Sequence, residues 1–220
     1  LDSGRLIVFE GPDAVGKTTL SRLLAENLSD RGQDVLWTSF PGRQPGSLGE
    51  LVYRLHHTPR DFGIGHIAEA ARQTLHIAAH LDTISTGVLP ALHRGAWVVL
   101  DRFWWSTLVY GQVGGADEEV LRGLIGVETL AWGEVRPSTL FLISREEPLV
   151  PQNDLSRWQD LASRYEDLGR SLGATMIDNN ASLSDTLQSV LSKLVGLDDN
   201  DRSSGVSLPL CDAEGRAKTF

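Results

Sequence analysis

Gly11-Pro12-Asp13-Ala14-Val15-Gly16-Lys17-Thr18 matches the pattern G-x-x-x-x-G-K-[ST] at every fixed position. The flanks decide what the match is worth. Arg5-Leu6-Ile7-Val8-Phe9-Glu10 ahead of it is a short apolar run of the kind a buried parallel strand shows, and Thr19 to Leu28 behind it repeats leucines at helical spacing. Strand, loop and helix in that order are what a phosphate cradle requires. Glycines let the backbone curl so that successive N–H groups converge on phosphate oxygens, and the start of the helix adds partial positive charge. On this reading Gly11 to Thr19 bind a nucleotide, with Lys17 reaching the β and γ phosphates and the Thr18 hydroxyl facing a magnesium ion. A glycine-rich turn with a lysine nearby, the bland alternative, explains neither flank.

Outward from the loop, strands alternate with helices. Gly32 closes the first helix, and Asp34 to Thr38 reads as a second strand entering the loop Phe40-Pro41-Gly42-Arg43-Gln44-Pro45-Gly46. A helix is expected from Ser47 to about His56, a break from Pro59 to Gly65, and a long helix from His66 to Arg94 kinked at Pro90. Trp97 to Asp101 is an apolar strand ending on a carboxylate. A helix from Asp117 to Trp132, strands at Thr139–Ile143 and Thr175–Asp178, and helices at Ser156–Leu172 and after the Ser182/Asp185 capping box complete the pattern. Such alternation predicts an α/β fold: a P-loop three-layer α/β/α domain over residues 1–197, with a roughly five-stranded parallel sheet. Residues 198–220 read as a polar, poorly ordered tail. Right-handed crossovers would bring the loops after the strands to one edge.

Composition narrows the classes. With 220 residues the chain suits one domain, and its net charge of −9 argues against a broad nucleic-acid surface, which would need clustered Lys and Arg. A small anionic ligand needs only a few focused cations. Cys211 is the single cysteine, so an internal disulfide is excluded and a reducing, cytoplasmic setting is expected. No run approaches a membrane span, and the opening residues carry no secretory pattern.

Asp101-Arg102 is the second informative pair. A carboxylate at a central strand end can hold magnesium or its waters, and the adjacent arginine can fork onto phosphate oxygens. A surface salt bridge is the competing reading.

Four segments together resemble a known family. Phe9 to Asp13; Arg43-Gln44-Pro45-Gly46-Ser47 with Leu48-Gly49-Glu50; Leu75 to Ala79; and Asp101-Arg102-Phe103 with Ser106 and Tyr110 resemble, in order and nearly in spacing, the thymidylate kinase branch of the nucleoside monophosphate kinases. The resemblance covers Arg5 to Gln112. It implies a phosphotransferase that uses ATP and Mg2+ on a small phosphorylated acceptor, and it suggests a homodimer. Arg43 and Arg102 would grip the acceptor phosphate, Asp13 would sit near the reacting phosphates, and Thr18 and Asp101 would serve the metal. Phe40, Ile77, His80, Trp105, Ser106 and Tyr110 would line the acceptor pocket, and Arg145 and Arg157 are the candidate lid cations, with Arg164 on the same face as Arg157.

Departures from the family pattern fall on the acceptor side. Leu81 stands where the family places a base-reading arginine, Ile77 at its stacking phenylalanine, Gln44 at the R-E-P glutamate, Gly111 at the glutamine of Y-Q, and Trp104-Trp105 at smaller or polar residues. A site that loses hydrogen-bonding partners loses discrimination. The acceptor is therefore left open between a nucleoside monophosphate, a non-thymidine or modified acceptor, and none at all in a nucleotide-binding regulatory module. Retention of Arg43, Asp101 and Arg102 favours a kinase. His76 and His80, four apart, invite a metal reading, but no glutamate follows His76 and no third ligand is evident, so they line the pocket or satisfy the core. Trp104 and Trp105 are open between pocket and packing.

Overall fold

The computed structural model describes residues 4–195; the expected tail and Cys211 lie outside the described residues. Strand β1 (Arg5–Glu10) runs into the glycine loop and α1 (Lys17–Asp30), followed by β2 (Val35–Ser39), α2 (Leu48–His57) and α3 (Glu69–Thr83). Then come α4 (Leu89–His93), β3 (Trp97–Asp101), α5 (Trp104–Val113), α6 (Glu118–Trp132), β4 (Thr139–Ser144), α7 (Leu155–Leu172), β5 (Thr175–Asp178) and α8 (Leu183–Val195). The five strands form one sheet in the order β2-β3-β1-β4-β5, every neighbouring pair parallel. The chain steps to β3 on one side of β1 and to β4 on the other. Such a reversal opens a crevice at the carboxyl ends of the strands.

Alternation along β1 divides the core in two. Leu6 and Val8 face a cluster with Val88, Leu92, Trp104, Trp105, Leu121 and Tyr165, whereas Ile7 and Phe9 face Leu20, Leu24, Trp158, Val190 and Leu194. Both faces being covered explains why these strands read as unbroken apolar runs. No described helix is long and apolar enough to cross a membrane.

Two expectations need correction. The helix read from His66 to Arg94 begins at Glu69, and its irregularity is a single π turn at Ile84–Val88 rather than a kink at Pro90. Pro90 has no N–H and its ring crowds the carbonyl four residues back; the helix widens one turn ahead of it, the Leu89 N–H reaching back to the Ile84 carbonyl. The segment after Arg102, where Asp101 to Ser106 is expected among the loops that follow the strands, is helix α5 from Trp104, and its apolar character all round reflects burial between α6, α7 and the sheet.

Candidate active site

Gly11 turns the chain out of β1 with φ 137°, and a Cβ there would stand 2.4 Å from the Ile143 carbonyl oxygen. Only glycine fits so close to β4. Gly16, at φ 93°, opens α1, whose N-terminus carries no side-chain cap, so its first N–H groups belong to the loop. The loop is braced from three sides. Trp158 Nε1 donates to the Asp13 carbonyl at 2.7 Å, Asn179 Nδ2 to the Val15 carbonyl at 2.8 Å, and the Leu149 N–H to the Ala14 carbonyl at 2.8 Å. Lys17 is buried, its ammonium donating to the Pro12 carbonyl at 2.5 Å. Burial, then Arg102, pull its pKa down to about 8 against the opposing pull of Asp101, Asp13 and Glu10.

The two residues expected to serve a metal meet. Thr18 Oγ1 donates to Asp101 Oδ2 at 2.5 Å, while Asp101 Oδ1 is buried with no hydrogen-bond partner among the described residues. Two hard oxygens, one of them an orphaned carboxylate atom beside a phosphate loop, fit a magnesium ion that keeps several waters.

Arg102 adopts the left-handed conformation, φ 77°, uncommon for a residue with a Cβ. Its N–H donates to the Phe9 carbonyl at 2.9 Å, which ties it to β1. The guanidinium pairs with the Asp13 carboxylate, donates to Ser106 Oγ at 3.0 Å and lies 5.4 Å from the Tyr110 ring centre. Burial alone would push Asp13 up; Arg102, Lys17 and hydrogen bonding more than reverse this and hold it at about 2. Tyr110 also accepts the Asp13 N–H at 3.1 Å. Asp13, Arg102, Ser106 and Tyr110 are thus one contiguous group.

Beneath them lies Glu10, which is fully buried. Its carboxylate accepts from the N–H groups of Phe103 at 2.7 Å, Ser106 at 3.1 Å and Gly11 at 3.3 Å, and from Ser106 Oγ at 3.0 Å. Helix α5 has no capping side chain of its own at Phe103, so Glu10 caps it from a neighbouring strand. Ser106 Oγ shares a further bond of 2.8 Å with the hydroxyl of Tyr165 on α7. Burial pushes Glu10 up to about 7 despite the nearby Arg102 and Lys17.

Several expected pocket residues lie elsewhere. Trp105 is fully enclosed in the core with Trp104, edge-on at 6.1 Å, and packs rather than binds. His80 is buried, bonded through Nδ1 to Glu128 Oε2 at 2.8 Å and stacked on Phe40 at 4.1 Å, so both rings belong to a buried wall. Ile77 is buried as well; the α3 residue under the influence of Arg102 is His76, one position earlier. One residue is a 100° turn of a helix, enough to exchange a buried for a half-buried place. The absent glutamine at Gly111 has a steric reason: a Cβ there would stand 2.4 Å from a methyl of Leu121, where α5 crosses α6. Arg43 is exposed on its loop, its guanidinium 4.4 Å above the Tyr53 ring.

The candidate lid cations separate. Arg145 donates to the Asn179 carbonyl and is held at the end of β5, Arg164 pairs with Asp160 at 2.9 Å, and the exposed Arg157 guanidinium has no partner among the described residues. Arg157 immediately precedes Trp158, the residue bonded to the loop at Asp13.

Glu10, Asn179 and Tyr165 were not singled out from the sequence. Only Glu10 left a signal, an acid closing an otherwise apolar buried strand.

The thymidylate kinase family model matches residues 9–157. A thymidylate kinase of Bradyrhizobium sp. (strain BTAi1) is 33% identical over 142 residues, 64% of this chain and 59% of that protein. That of Bartonella henselae is 37% identical over 142 residues, 64% and 63%; that of Rhodopseudomonas palustris is 36% identical over 165 residues, 74% and 69%. The chain thus spans about three-fifths of the length of the first two relatives. A crystal structure of thymidylate kinase from Ehrlichia chaffeensis superposes with a TM-score of 0.70 at 23% identity, covering 87% of this chain and 99% of that one, a likeness of fold.

Proposed function

The chain belongs to the thymidylate kinase family, and from that premise we propose that it transfers the γ-phosphoryl group of ATP to a nucleoside monophosphate or a closely related small acceptor. One observation carries this reading: the donor pair Thr18–Asp101 and the acceptor-side group Asp13–Arg102–Ser106 arise from the same two strand ends, β1 and β3. A bare nucleotide-binding module needs only the first. An acceptor oxygen attacks in line, the bond from phosphorus to the bridging oxygen breaks, and ADP leaves; the protein's share is positioning and charge neutralisation. Lys17 and the loop N–H groups hold the donor phosphates, and Arg102 with Arg43 holds the acceptor phosphate. Thr18 and Asp101 would hold magnesium, which supplies charge neutralisation at the donor oxygens. Arg157, beside Trp158 and without a side-chain partner among the described residues, completes the positive shell from the α7 side.

A homodimer is part of the same proposal. It is supported by the family resemblance and by Val120, Val127 and Leu130 on α6, which leave an apolar stripe in solvent, Leu130 being 82% exposed. Sedimentation of the wild type and of Leu130→Glu tests it; two monomers of equal mass would sink it.

The activity is tested by ATP consumption over a panel of nucleoside 5′-monophosphates with product mass identified. A diphosphate product is expected. Hydrolysis of ATP that no acceptor stimulates would overturn the kinase reading in favour of a regulatory module.

A further inference from the structure

Two buried side chains of α7, Trp158 and Tyr165, reach the group around Arg102. Seven residues apart, they lie two turns from each other on one face of the helix. The Trp158 indole N–H donates to the Asp13 carbonyl at 2.7 Å, and the Tyr165 hydroxyl bonds to Ser106 Oγ at 2.8 Å. Between these two points the bonds are continuous: the Asp13 carboxylate pairs with the Arg102 guanidinium, which donates to Ser106 Oγ at 3.0 Å. A closed circuit therefore runs from α7 through Asp13, Arg102 and Ser106 back to α7. Its start is fixed by the Asp154 cap, which accepts the Arg157 N–H at 2.9 Å in the first turn of the helix.

A hydroxyl has one proton and two lone pairs. Ser106 Oγ donates to Glu10 Oε2 at 3.0 Å, so it accepts from Arg102 and from Tyr165, and its capacity is filled. Without the Tyr165 hydroxyl, the direction of the lone pair offered to Arg102 is no longer set. The circuit also meets the backbone where support is needed most. The Asp13 carbonyl belongs to the peptide that leads into Ala14, at φ 63°, and Arg102 itself stands at φ 77°. Left-handed residues with a Cβ persist only where their surroundings over-determine them. Trp158 holds the first of these peptides, and Ser106, with Tyr165 behind it, holds the guanidinium of the second residue. Tyr165 packs edge-on against Tyr110 at 6.3 Å, and the Tyr110 hydroxyl accepts the Asp13 N–H at 3.1 Å.

We propose that Trp158 and Tyr165 are positioning residues for the phosphoryl transfer: from one face of α7 they hold the Asp13–Arg102 pair, and through it the acceptor phosphate, in register with the phosphate loop. This rests on the reading of Arg102 as the grip on the acceptor phosphate of a kinase. Arg157, the cation assigned to the donor side, is next to Trp158, so one helix ties the donor-side cation to the acceptor-side arginine.

Tyr165→Phe removes one oxygen and leaves the ring in place. It should lower acceptor kcat/KM about three- to tenfold, with ATP affinity by calorimetry and the urea midpoint close to those of the wild type. In an Arg102→Ala background it should cost nothing further, because it acts through Arg102. Trp158→Phe, which removes the indole N–H, should act in the same direction. The two side chains stand about 10 Å apart along the helix, where independent effects multiply; in a circuit the double variant should lose only about as much as the worse single one. The indole N–H resonance of Trp158, identified by its loss in Trp158→Phe, should shift in Tyr165→Phe and in Arg102→Ala whatever the acceptor. Normal acceptor kinetics in Tyr165→Phe, an equal loss with and without Arg102, or an unmoved indole resonance overturns the positioning role and leaves the kinase reading standing. Absence of turnover with every nucleoside monophosphate in the wild type overturns the kinase reading, and this inference with it.

Discussion

Thr18 Oγ1 and Asp101 Oδ2 stand 2.5 Å apart across 83 residues of sequence, joining the first turn of α1 to the end of β3. The β1–β3 register sets Phe9 beside Asp101, so the carboxylate arrives at the loop that follows β1. The contact is a consequence of strand pairing. Asp101→Asn keeps the shape and removes the charge a hard cation needs. ATP affinity measured by calorimetry should fall in the presence of magnesium and stay unchanged without it, and turnover should require more magnesium. An unaltered magnesium dependence would remove Asp101 from the metal site.

Lys17→Ala takes away the buried ammonium that the proposed function sets against the donor phosphates. No neutral side chain replaces that charge, so turnover should be abolished while the circular dichroism spectrum and melting behaviour remain those of a folded protein. Near-normal activity on any acceptor would contradict the assignment of the phosphate loop.

Arg102→Ala separates acceptor from donor. A charge-assisted bond to phosphate is worth roughly 1.5 to 3 kcal/mol, so acceptor kcat/KM should drop by about one to two decades while ATP affinity holds. Loss of ATP binding with normal acceptor kinetics would assign Arg102 to the donor.

Glu10 sets a pH dependence of stability opposite to that of a salt-bridged carboxylate. Its pKa is raised in the fold from 4.5 to about 7, so between these values the folded chain holds the proton that the unfolded chain has released. Stability therefore falls as pH rises through that window, and above it the buried charge costs on the order of 3 kcal/mol. Glu10→Gln removes the titration. Urea unfolding at pH 5 and pH 8 should show the variant gaining on the wild type as pH rises, while its acceptor kcat/KM drops because α5 loses its charged cap. A stability difference between variant and wild type that is flat over this range would show that Glu10 keeps an ordinary pKa.

The glycine loop, its flanking strand and helix, and the parallel alternation were legible along the chain because each is set by neighbours: apolar runs by burial on both sheet faces, the loop by glycine's freedom at φ > 0, the Ser182/Asp185 cap by two side chains three residues apart. The partnership of Thr18 with Asp101 was foreseeable in kind, since a motif names its chemistry. Burial was not. Whether His76 or Ile77 is the buried one depends on how α3 is rotated against α5 and α6, and whether Trp105 is exposed or packed depends on α7 closing over α5. The Glu10 cap and the Tyr165–Ser106 contact each join side chains from different elements, and no local pattern encodes the distance between two helices. Sequence by itself determined the phosphate-loop unit, because its pattern sits within one strand, loop and helix; the meeting of Asp101 and Arg102 with that loop was decided only by tertiary packing, which brings the ends of β1 and β3 side by side and fixes which face of each helix the sheet consumes.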